Sequence, residues 1–441
     1  MIAAEENLTY KKIFVFWVPL AATWLMMSTE GPFLAAVIAR LADPKYNLAA
    51  YGVAFSFAVL LEAPIIMIMS ASTALVKDRD SYLKLRNFTF VANGIITFVM
   101  LLFVIPPVFY FITQNLIGLP NVVARLTHHA CLILIPWPAA IGYRRFYQGI
   151  LIRSDLTRRV AYGTVIRISS MIVVALIAYL FLELQGAIVG ALGLACGVTA
   201  EAMASRMMAG GSVDKLLNDP PLQNGESPLS YRYITKFYYP LALTSVLALG
   251  VHPMVTFFMG QSRMPIESLA VLPVVNSLIF VFRSMGLSFQ EVGIALMGVQ
   301  NQNFHILRNY AIILGTTVTV ILSLVTFTPL SVIWFQKISG LSMELTLFAR
   351  YPAQILTLMP ALSVLISFQR GIMVNGKKTT PVTMATTIEV ISIITILYLT
   401  IQVFGFIGAI GAAISLMVSR LLANGYLFHA CAKVLKSTNS T

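Results

Sequence analysis

Twelve stretches of this sequence stay apolar for the roughly 20 residues that a helix needs to cross a bilayer. They cover 13–36, 48–73, 88–111, 129–150, 161–182, 187–207, 234–259, 268–296, 309–327, 345–368, 382–403 and 407–428. The runs are continuous rather than alternating, which makes them helices; a transmembrane barrel would show short segments of period two. A soluble chain would need a polar coat over them, and only 11% of the residues are charged, against roughly 25% in soluble domains. A soluble multidomain enzyme is therefore excluded. So is a disulfide scaffold, because Cys131, Cys196 and Cys431 are scattered, odd in number and without metal-ligand spacing. The first run reads as a span and not a cleaved leader: it is long, follows Glu5 and Glu6, and has no small-residue cleavage site.

The net charge of +13 would point to nucleic acid in a soluble protein. Here its distribution gives a different reading. With the N-terminus placed in the cytosol and sides alternating, most of the Lys and Arg fall on the cytosolic side. Lys11, Lys12, Lys77, Arg144, Arg145, Arg153, Arg158, Arg370, Lys377 and Lys378 are among them, while Arg40, Lys45, Arg125 and Lys337 fall opposite. That bias follows the positive-inside rule. It predicts a multi-pass protein of the plasma (inner) membrane with both termini cytosolic, whose partners are the lipid bilayer and a small-molecule substrate, with no nucleic acid.

The chain also repeats itself. One displacement of 221 residues carries Phe16, Pro19, Leu20 and Ala21 onto Phe237, Pro240, Leu241 and Ala242, and Pro32 and Pro44 onto Pro253 and Pro265. A displacement of 222 carries Pro138, Phe146, Gly149 and Gly186 onto Pro360, Phe368, Gly371 and Gly408. The fold expected is an all-α polytopic membrane protein of 12 transmembrane helices arranged as two parallel six-helix repeats. The expected divisions are a tail (1–12), an N-lobe (13–207), a polar cytosolic linker (208–233), a C-lobe (234–428) and a second tail (429–441). Paired six-helix units are an architecture of secondary transporters.

An ionisable side chain at mid-membrane costs roughly 2.5–3.5 kcal/mol on insertion scales, so each one needs a partner, a wet cavity or a function. The candidates are Glu30, Glu62, Arg167, His252, Arg283, Glu291 and Glu389; Glu201 is placed nearer a helix end, where it can snorkel. Glu62 corresponds to Arg283 under the repeat, and Arg167 to Glu389, so the signs exchange between halves. Three readings stay open: Glu62–Arg167 and Arg283–Glu389 are structural ion pairs, or these groups line a cleft where Arg167 or Arg283 holds an anion, or the pairs break and re-form across the cleft as a gate. Asn276, Arg283 and Gln290 recur at intervals of seven and share a helix face. Glu30 precedes Gly31-Pro32, where proline frees a carbonyl and permits a bend; it is the candidate for a coupling H+ or Na+, the alternative being a cap at the outer end of the helix in contact with water. His128-His129 is placed at a solvated outer helix end. Gly186, Gly190, Gly193, Gly197, Gly408 and Gly411 allow close helix packing. Phosphate-loop, zinc-protease and nucleophile-elbow motifs are absent from the sequence, so no catalytic residues, no metal and no organic cofactor are expected.

Two further patterns carry a resemblance. Pro-Leu-Ala-x-Thr opens both first helices at Pro19 and Pro240. Phe146-Tyr-Gln-Gly149 through Thr157 and Phe368-Gln-Arg-Gly371 through Pro381 resemble the F-x-G-x-L-x-G-x-x-x-T-x-x-P turn of the multidrug/oligosaccharidyl-lipid/polysaccharide (MOP) exporter superfamily. Val18-Pro19-Leu20 and Ala49 to Ser56 look most like its progressive-ankylosis-protein branch. The resemblance implies a monomeric, V-shaped, MATE-like pair of bundles that exports a small organic solute by alternating access with cation coupling. A flippase for a lipid-linked or phosphorylated precursor is the alternative. The ankylosis-like branch implies small anions such as pyrophosphate, citrate or nucleotides, with Arg167 and Arg283 as its intramembrane basic residues.

Overall fold

The structure, a computed structural model, describes residues 8–154, 156–218, 229–298, 301–375 and 380–438. The centre of the expected linker (219–228), both extreme termini, Asp155 and the 376–379 part of the second turn motif lie outside the described residues. Regular structure among the described residues is helical, apart from one bridged pair, Arg263 and Ile407. The first half contributes α1 (Tyr10–Ser28), α2 (Glu30–Ile38), α3 (Pro44–Glu62), α4 (Ile68–Leu75), α5 (Arg79–Phe103), α6 (Asn121–Ile133), α7 (Trp137–Arg153), α8 (Thr157–Phe181) and α9 (Gly186–Met208). The second contributes α10 (Tyr231–Leu249), α11 (Val251–Gly260), α12 (Pro265–Leu287), α13 (Phe289–Leu296), α14 (Phe304–Phe327), α15 (Met343–Ile355), α16 (Met359–Asn375), α17 (Thr380–Leu397) and α18 (Gly408–Thr438).

Nine helical stretches among the described residues are long and apolar enough to cross a membrane, which makes this a multi-pass membrane protein. Three expected runs, 48–73, 129–150 and 234–259, are not among the nine because each is interrupted. Pro64 has no N–H to extend α3, and the chain advances through i→i−3 bonds from Ile65 to Glu62 and from Ile68 to Ile65 before α4 begins. Pro136 separates α6 from α7, and α10 ends at Gly250, three residues before Pro253.

The repeat is visible in the backbone. Asp43 and Met264, equivalent under the 221-residue displacement, are both left-handed (φ 50° and 54°) immediately before the prolines that start α3 and α12. Two six-residue π-helical turns, Phe111–Leu116 and Ile333–Ile338, fall at equivalent places. Each is followed by a glycine at positive φ, Gly118 (82°) and Gly340 (78°), where a side chain would be strained. The free N–H groups at the start of α9 are partly satisfied from α3, with Asn47 Oδ1 accepting from Ala187 N at 2.9 Å. Ser268 Oγ does the same for Ala409 N at 3.0 Å.

The compact units are not the expected lobes. One comprises 37–261 and the other 1–36 with 262–441, so each half's first helix packs with the rest of the other half. Reciprocal hydrogen bonds account for this. Trp17 Nε1 of α1 donates to Met285 O at 3.1 Å, and Ile13, Trp17 and Ala21 are buried in a core with Phe289, Val292, Leu314 and Phe368. In the other unit Tyr238 Oη of α10 donates to Pro64 O at 2.6 Å, and Ile234 and Tyr238 join Ile65, Tyr82, Phe146 and Ile150. Trp17 and Tyr238 are equivalent under the repeat, as are Pro64 and Met285. A sequence displacement shows that two segments are alike; which core each one enters depends on the shape of both.

Candidate functional site

In the unit spanning 37–261, glycine at 197 lets α8 and α9 approach closely: a Cβ there would stand 2.9 Å from Arg167 O. That approach places Arg167 beside Glu201. The Glu201 carboxylate is buried, 1% exposed, and does not snorkel. Arg144 Nη1 of α7 donates to its Oε2, Gln148 Nε2 donates to its Oε1 at 3.0 Å, and Arg167 Nη1 lies 3.9 Å away. Arg144, expected on the cytosolic face, is 4% exposed. Glu62, at the end of α3, does not pair with Arg167; it accepts from Trp137 Nε1 at 2.6 Å. The Arg167 guanidinium lies 5.9 Å from the Trp137 ring centroid, within cation–π range.

The unit containing 262–441 has the same plan with signs exchanged. Glu389 of α17 accepts from both Arg420 Nε and Nη2 of α18 at 2.8 Å, and not from Arg283. Arg283 Nε instead donates to Ser363 Oγ of α16 at 3.1 Å, and Arg370 Nη2 approaches Thr386 Oγ1 at 3.4 Å. Thus in each unit the charge on the fifth helix of a repeat meets the charge on its sixth. Glu62 and Arg283, equivalent under the repeat, are left with neutral partners and, among the described residues, no opposite charge within 4 Å. Three Arg (144, 145 and 167) and two Glu (62 and 201) gather in one unit; in the other, Arg420 pairs with Glu389 while Arg283 and Arg370 meet the hydroxyls of Ser363 and Thr386.

Other expected site residues are placed as follows. Glu30 is 8% exposed at the start of α2. Its neighbour Gly31 packs on α12, where a Cβ would meet Ser277 Cβ at 3.1 Å; Asn276 is next in sequence to that contact. Asn276 and Gln290 are half-buried. His128 is buried rather than solvated, with Nε2 2.8 Å from Val104 O, and His252 is exposed. The sequence reading missed Trp137, Arg144, Gln148, Ser363 and Arg420 as site residues. A charge in the sixth helix of each half, Glu201 and Arg420, was the available signal. No group of three or more His, Cys, Asp or Glu able to hold a metal ion occurs among the described residues.

No family model and no curated protein sequence matches the chain. Solved structures do. The inward-facing conformation of a multidrug resistance MATE family transporter of the MOP superfamily aligns with a TM-score of 0.72 at 13% identity, covering 97% of this chain and 99% of that one. The lipid II flippase MurJ in an inward closed conformation aligns at 0.67 with 15% identity, over 96% and 90%. A MOP superfamily transporter from Pyrococcus furiosus, described by the reverse polarity of its binding pocket, aligns at 0.65 with 15% identity, over 97% and 99%. At these identities the likeness is one of fold, and over nearly the whole chain the fold is that of the MOP-superfamily transporters.

Proposed function

We propose that this protein is a secondary active exporter, not an enzyme, and that it moves a small organic solute bearing negative charge by alternating access. The observation that carries this reading is Arg283, which lies within the Pro265–Ile294 span with a serine hydroxyl in place of a carboxylate partner. A cation at that depth is costly unless water or an anion neutralises it. The excess of Arg144, Arg145 and Arg167 over Glu62 and Glu201 in the unit spanning 37–261 favours anions further, and the resemblance to the ankylosis-like branch points the same way. Glu30, buried at the bend before Gly31-Pro32, is assigned to the coupling H+ or Na+. The protein acts as a monomer in the plasma membrane with both termini cytosolic.

Purified protein in liposomes, given citrate, pyrophosphate or a cationic dye under imposed proton or sodium gradients, tests the assignment. Citrate or pyrophosphate should move, Arg283→Gln should abolish that movement, and Arg283→Lys should retain part of it. Glu30→Gln should remove the gradient dependence. Movement of dye but not anions, or full activity in Arg283→Gln, overturns the anion reading. Translocation of a labelled phospholipid instead of either solute would replace it with the flippase.

A further inference from the structure

A groove of about 560 Å³ opens between α14, α16 and α18 in the unit containing 262–441. It is separate from Arg283 and Glu389, and its lining is mostly apolar, with polar side chains at Arg308, Thr316, Gln369 and Cys431. Arg308, in the second turn of α14, closes one end. Its guanidinium rests over the Phe304 ring at 5.8 Å and reaches Asn309 at 3.4 Å, and it has no carboxylate partner among the described residues. Gln369, 3% exposed, lines the groove one turn from Leu365. Its Nε2 donates to Asn424 O at 3.2 Å, but its Oε1 is buried without a hydrogen bond. A buried acceptor in that state costs about 1–3 kcal/mol until a donor reaches it.

The groove's length matches a membrane component. From Ile372, at the Arg308 end, to Ala361 is eleven residues of α16, about 16 Å at 1.5 Å per residue. This is half of a hydrocarbon core of about 30 Å, the depth of one leaflet. Small residues make the room: Gly315 and Ala361 face each other, with 3.6 Å between an added Cβ and the alanine's. We propose that this groove is a site for one anionic phospholipid with a hydroxyl-bearing headgroup. Its phosphate sits on Arg308, a headgroup hydroxyl donates to Gln369 Oε1, and an acyl chain lies along Phe368, Gly315 and Ala361.

The test uses full-length protein in detergent, titrated with phosphatidylglycerol, phosphatidylcholine or inorganic phosphate, and read by melting midpoint and by lipid adducts in native mass spectrometry. Phosphatidylglycerol should bind more tightly than phosphatidylcholine. Arg308→Gln, an exposed substitution, should weaken phosphatidylglycerol about fivefold, the factor expected for one basic residue at the membrane surface, and leave phosphatidylcholine unchanged. Ala432→Trp should fill the groove and lower occupancy by both lipids. Equal binding of the two lipids by the wild type, a preference that survives Arg308→Gln, or an equal effect of inorganic phosphate alone would overturn the proposal.

Discussion

Replacing Glu201 by Gln is the most discriminating perturbation of the buried charges. The carboxylate is 1% exposed, accepts from Arg144 and from Gln148 at 3.0 Å, and faces Arg167 at 3.9 Å. The amide preserves its shape and one acceptor but removes the charge, and turns an N–H₂ toward groups that are themselves donors. Arg144, 4% exposed, then loses the carboxylate to which it donates. Breaking a buried pair from one side costs about 3–5 kcal/mol. For a folding unit of this size a kilocalorie corresponds to about 2–4 °C, so the melting midpoint in detergent should fall by roughly 6–20 °C.

Glu62→Gln is the internal control. Its hydrogen-bond donor, Trp137 Nε1, donates equally well to an amide oxygen, so the midpoint should move by no more than about 4 °C, the equivalent of 1 kcal/mol. Arg144→Met combined with Glu201→Leu should recover part of the Glu201→Gln loss, because apolar replacement of both partners avoids the unpaired charge. A Glu201→Gln protein that melts with the wild type, or a Glu62→Gln protein that falls as far, would refute the assignment of the structural pair to Glu201.

Three other outcomes are expected. Tyr238→Phe removes only the hydroxyl that reaches Pro64 O at 2.6 Å and should cost about 1–3 kcal/mol, read as a lower midpoint with no change in helix content. Gly149→Val should fail to accumulate as folded protein, since even a Cβ there would stand 2.6 Å from Met69 O, a backbone atom that cannot swing aside. Asp78 caps α5 by accepting from Ser81 N at 2.8 Å, and the hydrogen bonds from Ser81 hold its carboxyl below the ordinary value of 3.8. Its stabilisation is therefore present above the unfolded-state pKa and lost as pH falls through the lower folded value. The midpoint difference between wild type and Asp78→Ala should shrink across that acid window and be constant near neutrality.

What was legible in the sequence follows from what a membrane requires. Span length and continuity are one-dimensional constraints, and a repeat is a one-dimensional pattern, so the helical class, the paired halves and the exchange of signs at 62/283 and 167/389 could all be read directly. Pairing could not. Arg167 meets Glu201 and Glu389 meets Arg420 because the fifth and sixth helices of each half lie side by side; counting positions leaves helix two and helix six equally eligible. Glu201 was misplaced for a related reason. Distance along a helix locates a residue near an end, but burial depends on which neighbours, here Arg144 and Gln148, close over it.

The repeat also ties the two remaining charges to the exchanged first helices. Glu62 and Arg283 each lie two residues before the carbonyl that a first helix holds: Pro64 O bound by Tyr238, and Met285 O bound by Trp17. Both carbonyls sit where the helix is discontinuous, between α3 and α4 and just before the end of α12. A proton taken up at Glu62, or an anion bound at Arg283, therefore acts within one turn of the bond that anchors α10 or α1. Backbone at such breaks is the part of a packed helix that opens most readily. Adding citrate or pyrophosphate should accordingly change hydrogen exchange over residues 283–290 in the wild type and leave it unchanged in Arg283→Gln. Exchange that ignores the anion in the wild type, in a preparation that transports it, would separate the charge from the anchor and break this link.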